Sequence, residues 1–543
     1  MKFVHRMHCR PFRLFVLAVL MAAAGGCATL RTDVVKQPST SLPAVVDTPS
    51  TRYVHDEVAS HGNQSGFRPL ISNTNALMSR IVLTDHAQHS IDLQYYIFAN
   101  DATGRLVAQR LLAAADRGVR VRILLDDLDI DSEDSLLDAL DAHPNIEVRL
   151  FNPFRMRNRS VFSKMGQFLL EGRRLNRRMH NKSFIVDGMQ AVIGGRNIGD
   201  AYFDAGDEIH FRDLDVLAIG PVVPRISAMF DAYWNSDAAF PVTAYSSKQA
   251  TAQDLAQQRE ALAKDARAFA ESDYAQALAE DLPNGPSAER KGEWYWGVAT
   301  LVADDPDKVD PAQDDHGKDK HRRDNRNRIF PIGPQIKAML DATTKQALLV
   351  SPYFIPGKTG TEYLTELAKR GVVIKVLTNS LAATDEPEVH SGYARYRRKL
   401  LEAGLDFFEL RPAPGQPQGN AYGTSSGVSL HAKTMVVDHR IVYVGSMNLD
   451  PRSRKLNTEM GVIADCPDLA EALSKYFDSA TAPENAYHVV LVRPEGKPDA
   501  APKLQWVTVD DGKPVTFDHD PGTSRWTRMR VELLRALPIE DQL

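Results

Sequence analysis

One set of residues occurs twice in this chain at the same spacing. His180-Asn-Lys182 precedes Asp187 and then Gly194-Gly195-Arg-Asn197; His431-Ala-Lys433 precedes Asp438 and then Gly445-Ser446-Met-Asn448. In both copies the Lys follows the His by two positions, the Asp follows the Lys by five, and the first Gly follows the Asp by seven. A chain with such a long-period repeat is expected to fold into two like parts that present the same polar set.

Each copy reads as a strand, a turn and a second strand: Ser183–Val186 then residues 191–193, and Thr434–Val437 then residues 441–444. Asp187-Gly188 suits a tight hairpin turn. Side chains two apart on an extended chain share a face, so His180 and Lys182 point one way, as do His431 and Lys433. Asp187 and Asp438 fall in the turns, where they are expected to orient something and not to touch substrate.

An imidazole beside a fixed ammonium suits an anionic phosphodiester: the Lys holds phosphate oxygens while a ring nitrogen attacks phosphorus. The same Lys opposes a bound divalent ion, and neither copy offers ligands at zinc spacing, so no metal and no cofactor is expected. Gly194, Gly195 and Gly445 leave room for close approach; Ser446, Asn197 and Asn448 can donate to a phosphoryl oxygen. A single His-x-Lys is ordinarily a surface pair, whereas two full copies mark a site. His210, His390 and His439 read as surface or satisfied polar residues, with His390, in a charged helix-like run over 386–399, at most a rim contact.

The pattern resembles the paired His-x-Lys-x4-Asp signature of the phospholipase D superfamily, and both copies match it in full. The resemblance implies two similar α/β halves packed around one shared active site, where one His forms a phosphohistidine and the other protonates the leaving alcohol. By position His180 is the candidate nucleophile and His431 the general acid that later activates the acceptor, an order the sequence leaves open. Lys182, Lys433, Asn197 and Asn448 would hold the phosphate, and Asp187 and Asp438 match the signature's structural carboxylates. Glu459 in Asn457-Thr-Glu459, and Asp213 or Asp215 in Phe211-Arg-Asp-Leu-Asp215, resemble further acids that back the histidines. The first copy departs by having Gly195 where Ser is usual.

The repeat reaches beyond the motifs. Arg117-Gly-Val-Arg-Val-Arg-Ile-Leu124 resembles Arg370-Gly-Val-Val-Ile-Lys-Val-Leu377 at nearly the motifs' offset, and each follows an amphipathic helix pattern and an apolar run. Strand, helix, strand in this order implies parallel pairing and an α/β class. With 543 residues, 43% of them hydrophobic, the chain can bury two cores. The expected organisation is a signal segment 1–27, a flexible tether 28–60, a first half 61–245, a helical segment and charged loop 246–330, a second half 331–482, and a C-terminal hairpin and closing helix 483–543. Within the connector, 250–279 reads as helical and 304–328 as an exposed loop.

Lys2, Arg6, Arg10 and Arg13 precede a short apolar run of signal-peptide proportions that ends in Ala24-Gly25-Gly26-Cys27. Small residues before a Cys resemble a bacterial lipobox, which implies lipidation at Cys27. Ala28 in the next position resembles the pattern that permits sorting to an outer membrane. The expected location is therefore the cell envelope, lipid-anchored and facing the periplasm. Only Cys9 and Cys466 remain, and Cys9 lies in the leader, so no disulfide is expected.

Removing the leader takes four cations and no acid from a net charge of −5, and an acidic body is a poor non-specific binder of nucleic acid. Against that background 155–178 is basic, with Arg155, Arg157, Arg159, Lys164, Arg173, Arg174, Arg177 and Arg178 opposed by Glu171 alone and interleaved with apolar residues. It reads either as a segment lying on anionic lipid or as a partly packed loop. The stretch from Arg174 through Phe203 resembles bacterial cardiolipin synthases of the superfamily's lipoprotein-like branch. That resemblance implies a phosphatidyltransferase that passes a phosphatidyl group to phosphatidylglycerol. A phospholipase D using water, a secreted phosphodiesterase or nuclease, and a non-catalytic envelope lipoprotein are the alternatives. Expected partners are a phospholipid bilayer, a small alcohol or phospholipid acceptor and at most an accessory protein.

Overall fold

The computed structural model describes residues 28–127, 135–157, 171–206, 209–245, 250–281, 294–312, 330–412, 427–493 and 499–535. The leader, with Cys9 and Cys27, lies outside them.

Each half is built on the strand, helix, strand unit. Ser90–Tyr95 leads through helix Ala102–Asp116 to Arg120–Asp126, and the two strands pair in parallel. Gln346–Val350, Gly357–Lys369 and Val373–Asn379 repeat the arrangement. The first helix starts where Asp101 accepts from the Gly104 amide at 2.9 Å, and it buries Leu106, Val107, Leu111 and Leu112 along one stripe. Each motif hairpin joins the opposite flank antiparallel: Ser183–Val186 pairs with Ser90–Tyr95, and Thr434–Val437 with Gln346–Val350. The sheet of each half is therefore mixed, and its parallel strands are joined by helical crossovers.

Strand Tyr295–Ala303, inside the stretch 246–330 expected to be a helical segment and charged loop, joins the two sheets. Its first residues pair with Ser65–Leu70 of the first half and the remainder with Met460–Asp465 of the second. A shared apolar core spans the halves and takes in Phe230 and Trp234 of helix Val222–Trp234 as well as Leu473 and Phe477 of helix Pro467–Ala480. One continuous strand and one common core fix the halves against each other, as a site divided between them requires.

Two expectations are corrected and two open readings are narrowed. The segment 28–60 is no free tether: Ala28–Thr29 pairs with Met156–Arg157, and Pro49–Ala59 is a helix. Between them, Gln37 and Ser39 carbonyls accept from Arg149 (2.5 Å) and Arg122 (3.0 Å). Those guanidiniums are buried on sheet strands and need acceptors, which the segment supplies. The charged loop begins packed, since Asp304 and Val309 are buried and Pro306–Val309 is a short helical turn; residues 313–329 lie outside the described residues. Of the basic stretch, residues 158–170 lie outside the described residues, and Arg177 and Arg178 turn inward, away from any lipid. Arg178 pairs with Asp126 at 3.3 Å and Arg177 donates to the Lys308 carbonyl at 2.9 Å, so these cations anchor the chain just ahead of His180. His390, read as a surface or satisfied polar residue, is the latter: it is buried with Nε2 3.5 Å from Asp520.

The helices expected over 250–279 are Ala252–Ala270 and Asp273–Asp281. The C-terminal hairpin pairs Lys503–Asp510 with Lys513–Phe517, and helix Arg525–Arg535 follows.

Candidate active site

His180 and Lys182 stand in extended backbone just ahead of strand Ser183–Val186, and His431 and Lys433 just ahead of Thr434–Val437. They leave the ladder of their own sheet because each backbone is taken up by the other half. The His180 amide donates to the Thr458 carbonyl and the Thr458 amide to that of Arg178, both at 2.9 Å. The His431 amide donates to the Arg212 carbonyl at 2.8 Å, continuing the parallel pair of Gly427–Leu430 with Ile209–Arg212. All four side chains are buried, and each Lys ammonium donates to its own motif's His carbonyl, at 2.8 Å for Lys182.

The acids cross over. Glu459, from the second half, lies 2.9 Å from Nδ1 of His180; Asp213, from the first, lies 2.5 Å from Nδ1 of His431. A carboxylate that accepts from Nδ1–H orients the ring and leaves the Nε2 lone pair for chemistry. Asp215 is not the backing acid. Its carboxylate holds buried Arg80 (2.9 Å) and Arg196 (3.5 Å), a counter-charge those guanidiniums need.

The copies differ beside these acids. Ser446 donates to Glu459 Oε2 at 2.5 Å, whereas a Cβ on Gly195 would come within 2.2 Å of Asp213 Oδ1. The shorter acid occupies the space a Ser would need, so Gly pairs with Asp in one copy and Ser with Glu in the other. The room at Gly194 and Gly445 is likewise filled by the protein: a Cβ there would meet Asp215 (2.3 Å) and the Met460 carbonyl (2.3 Å). Asn197 is engaged at both ends, donating to the Tyr202 hydroxyl (2.7 Å) and accepting from the Ile97 amide (3.2 Å). Asn448 Oδ1 is buried with no hydrogen-bond partner among the described residues.

Asp187 and Asp438 occupy the hairpin turns at φ 53° and 52°, with Gly188 and His439 next at φ 65° and 55°. Asp187 accepts from the amides of Gln88, His89 and Ser90, and Asp438 from those of Thr344, Lys345 and Gln346. Each carboxylate thus pins its motif hairpin to the start of the neighbouring strand and stays out of the site.

Burial is the main force on the reactive groups. It pushes the His180 pKa down to about 4 and that of His431 to about 3; both lysines add to the depression, and the carboxylates only partly oppose it. Burial also brings Lys182 down to about 7 and Lys433 to about 8. For Glu459 burial acts upward, but His180 and Lys182 outweigh it and hold the carboxyl below its usual range. Each histidine feels both lysines and each lysine feels both acids, so the two motifs make one electrostatic unit. At these values both imidazoles are neutral near pH 7, and an anion beside them would raise histidines and lysines together.

Several neighbours carried no sequence signal. Tyr96 sets its ring edge-on to His180 (5.2 Å between centroids) with Lys182 Nζ 5.5 Å from the ring centre; Tyr202 and Phe211 flank His431 at 5.3 and 5.0 Å. Asp126 and Asn379 sit at equivalent strand ends. Asp126 accepts from the Met179 amide (2.9 Å) and Asn379 from that of Leu430 (2.8 Å), so each fixes the residue before a motif His. Position at the carboxyl end of a parallel strand was the one available clue. Asp385, held by the Tyr353 hydroxyl at 2.8 Å, bears electrostatically on Lys433, and its Oδ1 has no hydrogen-bond partner among the described residues.

The family described as "Cardiolipin synthase, PLD-like domain" matches residues 81–234 and 336–481, one stretch around each motif. The chain belongs to this family. It is 38% identical to cardiolipin synthase C of Escherichia coli over 485 residues, covering 89% of this chain and 97% of that protein. A cardiolipin synthase of Staphylococcus aureus is 24% identical over 394 residues, 72% of this chain and 62% of that one. The crystal structure of phosphatidylserine synthase from Haemophilus influenzae matches with a TM-score of 0.53 over 91% of this chain and 100% of that chain at 11% identity, a likeness of fold. The chain is an enzyme of the phospholipase D type, a phosphatidyltransferase by its family.

Proposed function

We propose that this enzyme makes cardiolipin, moving a phosphatidyl group from a donor phospholipid through a phosphohistidine to the hydroxyl of phosphatidylglycerol. The observation that carries the reading is the crossed arrangement of two buried, carboxylate-backed histidines between two lysines. His180 Nε2 attacks phosphorus, and His431, protonated once the anion is bound, gives its proton to the departing headgroup oxygen. Its freed Nε2 then takes the proton of the acceptor hydroxyl, whose oxygen attacks phosphorus and releases His180. Lys182 and Lys433 bear the charge on the phosphoryl oxygens, with Asn448 as a further donor. Glu459 stabilises the positive ring of the His180 adduct. Anchoring through Cys27 on the periplasmic side, in the outer membrane, would hold the site at its substrate; the lipobox-like segment supports this part of the reading.

The test is mass spectrometry of lipids after incubating the purified chain with vesicles of phosphatidylethanolamine and phosphatidylglycerol, beside a His180→Ala control. Cardiolipin in the wild-type reaction alone is the expected result; phosphatidic acid alone would make the enzyme a hydrolase.

A further inference from the structure

The C-terminal helix Arg525–Arg535 turns an apolar stripe to solvent. Trp526, Met529 and Leu533 are 67%, 55% and 67% exposed, and their spacing places them on one side of the helix. The opposite side, which includes buried Val531, packs against helix Pro387–Glu402. Four arginines, Arg525, Arg528, Arg530 and Arg535, share these turns with the single acid Glu532, in a chain of net charge −5.

The helix is braced against the rim of the site. Arg530 pairs with Glu388, and Asp520, just ahead of the helix, accepts from buried Arg397 at 3.0 Å. Gly522 lies so close to Ala382 that a Cβ would come within 3.1 Å of it. Ala382 belongs to the loop that carries Asp385, whose charge reaches Lys433. That loop leaves the carboxyl end of strand Val373–Asn379, where Asn379 clasps Leu430 just ahead of His431.

We propose that Arg525–Arg535 is a membrane-docking helix that lies along an anionic phospholipid bilayer. Its Trp, Met and Leu enter the boundary between headgroups and acyl chains, and the exposed Arg525 at its start lies among the phosphates. A bilayer offers the apolar layer and the negative charge together, and the bracing to the Ala382–Asp385 loop then holds the site at the lipid surface. The proposal rests on the reading that the substrate is a phospholipid, but its test does not require turnover.

The test uses the full chain with Cys9 and Cys27 replaced by Ser, carrying an environment-sensitive dye on Met529→Cys or on Val373→Cys. Val373, 48% exposed, begins the strand whose far end bears the site, about 20 Å away at the usual rise per residue. Vesicles contain phosphatidylcholine and phosphatidylglycerol with nitroxide-labelled acyl chains. The dye at 529 is expected to shift to the blue and lose most of its emission to the nitroxide, while the dye at 373 stays open to aqueous iodide. Equal quenching at both positions, or none at 529, overturns the proposal. A blue shift at 529 without vesicles that grows with protein concentration also overturns it, since a second copy would then cover the stripe. The triple variant Trp526→Glu, Met529→Glu, Leu533→Glu is expected to lose turnover on vesicles while keeping it on a soluble short-chain phospholipid. Equal loss on both substrates counts against docking. If the wild type turns over neither, the substrate reading fails while the quenching result still decides the helix.

Discussion

The two halves give their histidines the same backbone support and different chemical company. His180 leans on the longer Glu459, itself held by Ser446; His431 leans on the shorter Asp213, packed where Gly195 leaves no side chain. Asn197 is locked to Tyr202, while the amide oxygen of Asn448 has no partner among the described residues. A duplicated site with crossed acids can divide labour without changing its motif residues: the lysines, histidines and turn aspartates stay alike, and the acids with their neighbours diverge. On the proposed mechanism the Glu–Ser side holds the positively charged adduct and the tight Asp side passes the proton.

The largest effect tests whether the site is one or two. His180→Ala and His431→Ala are each expected to lower turnover at least about 10³-fold, because a double displacement needs both rings. Half-activity in either variant, measured by lipid product formation, would mean two independent sites. Next, Glu459→Gln and Asp213→Asn should each cost about 10²-fold in kcat, the scale of lost support to an acid–base group. With a donor bearing a nitrophenol leaving group, which departs without a proton, they should separate: Glu459→Gln slows the initial burst, and Asp213→Asn slows only the turnover after it.

The Gly–Asp and Ser–Glu pairs can be swapped. Gly195→Ser alone pushes Asp213 off His431 and should cost about tenfold, the equivalent of roughly 1.4 kcal/mol; adding Asp213→Glu should recover part of it. Failure of the double variant to improve on the single one would mean that the difference between the halves is not a matched pair. The lysines give the halves different pH limits. A lysine pKa lowered to about 7 keeps its charge below that pH and loses it above, so substrate affinity through Lys182 should fall from about pH 7, ahead of Lys433 at about 8. The sign for stability is opposite. The unfolded lysine keeps its proton up to about 10.4, so the contribution of Lys182 to stability rises as pH climbs from 7 toward that value. A pH series of KM and of thermal unfolding checks both directions. The smallest catalytic effects belong to the turns: Asp187→Asn and Asp438→Asn should cost roughly 1–3 kcal/mol of stability each, read by denaturant unfolding, with Asp187 the larger because it is the more buried.

What the sequence made legible was local. The spacing of His, Lys and Asp follows from a strand and a tight turn, so both hairpins and the outward turn aspartates could be read directly. The strand, helix, strand units were visible from apolar spacing. What it concealed was set by contacts between distant segments. Asp213 and Asp215 sit two apart in one stretch, and only buried Arg80 and Arg196 decide that Asp215 is spent on them. Strand Tyr295–Ala303 is a largely apolar run, but its role comes from edges supplied by both halves, far from it in sequence. Segment 28–60 has a tether's composition, yet Arg122 and Arg149 require its carbonyls. The basic stretch ahead of His180 and the last helix both mix arginines with apolar residues, but the former buries Arg177 and Arg178 while the latter keeps its apolar stripe outside.

The most direct test of a shared site with His180 as nucleophile uses His431→Ala and the donor with a nitrophenol leaving group. The first transfer then needs no acid, and the second step lacks its base. The account predicts a stoichiometric burst of nitrophenol and a phosphatidyl adduct that mass spectrometry places on the peptide containing His180. An adduct on the His431 peptide of His180→Ala, with none on His180, would contradict it.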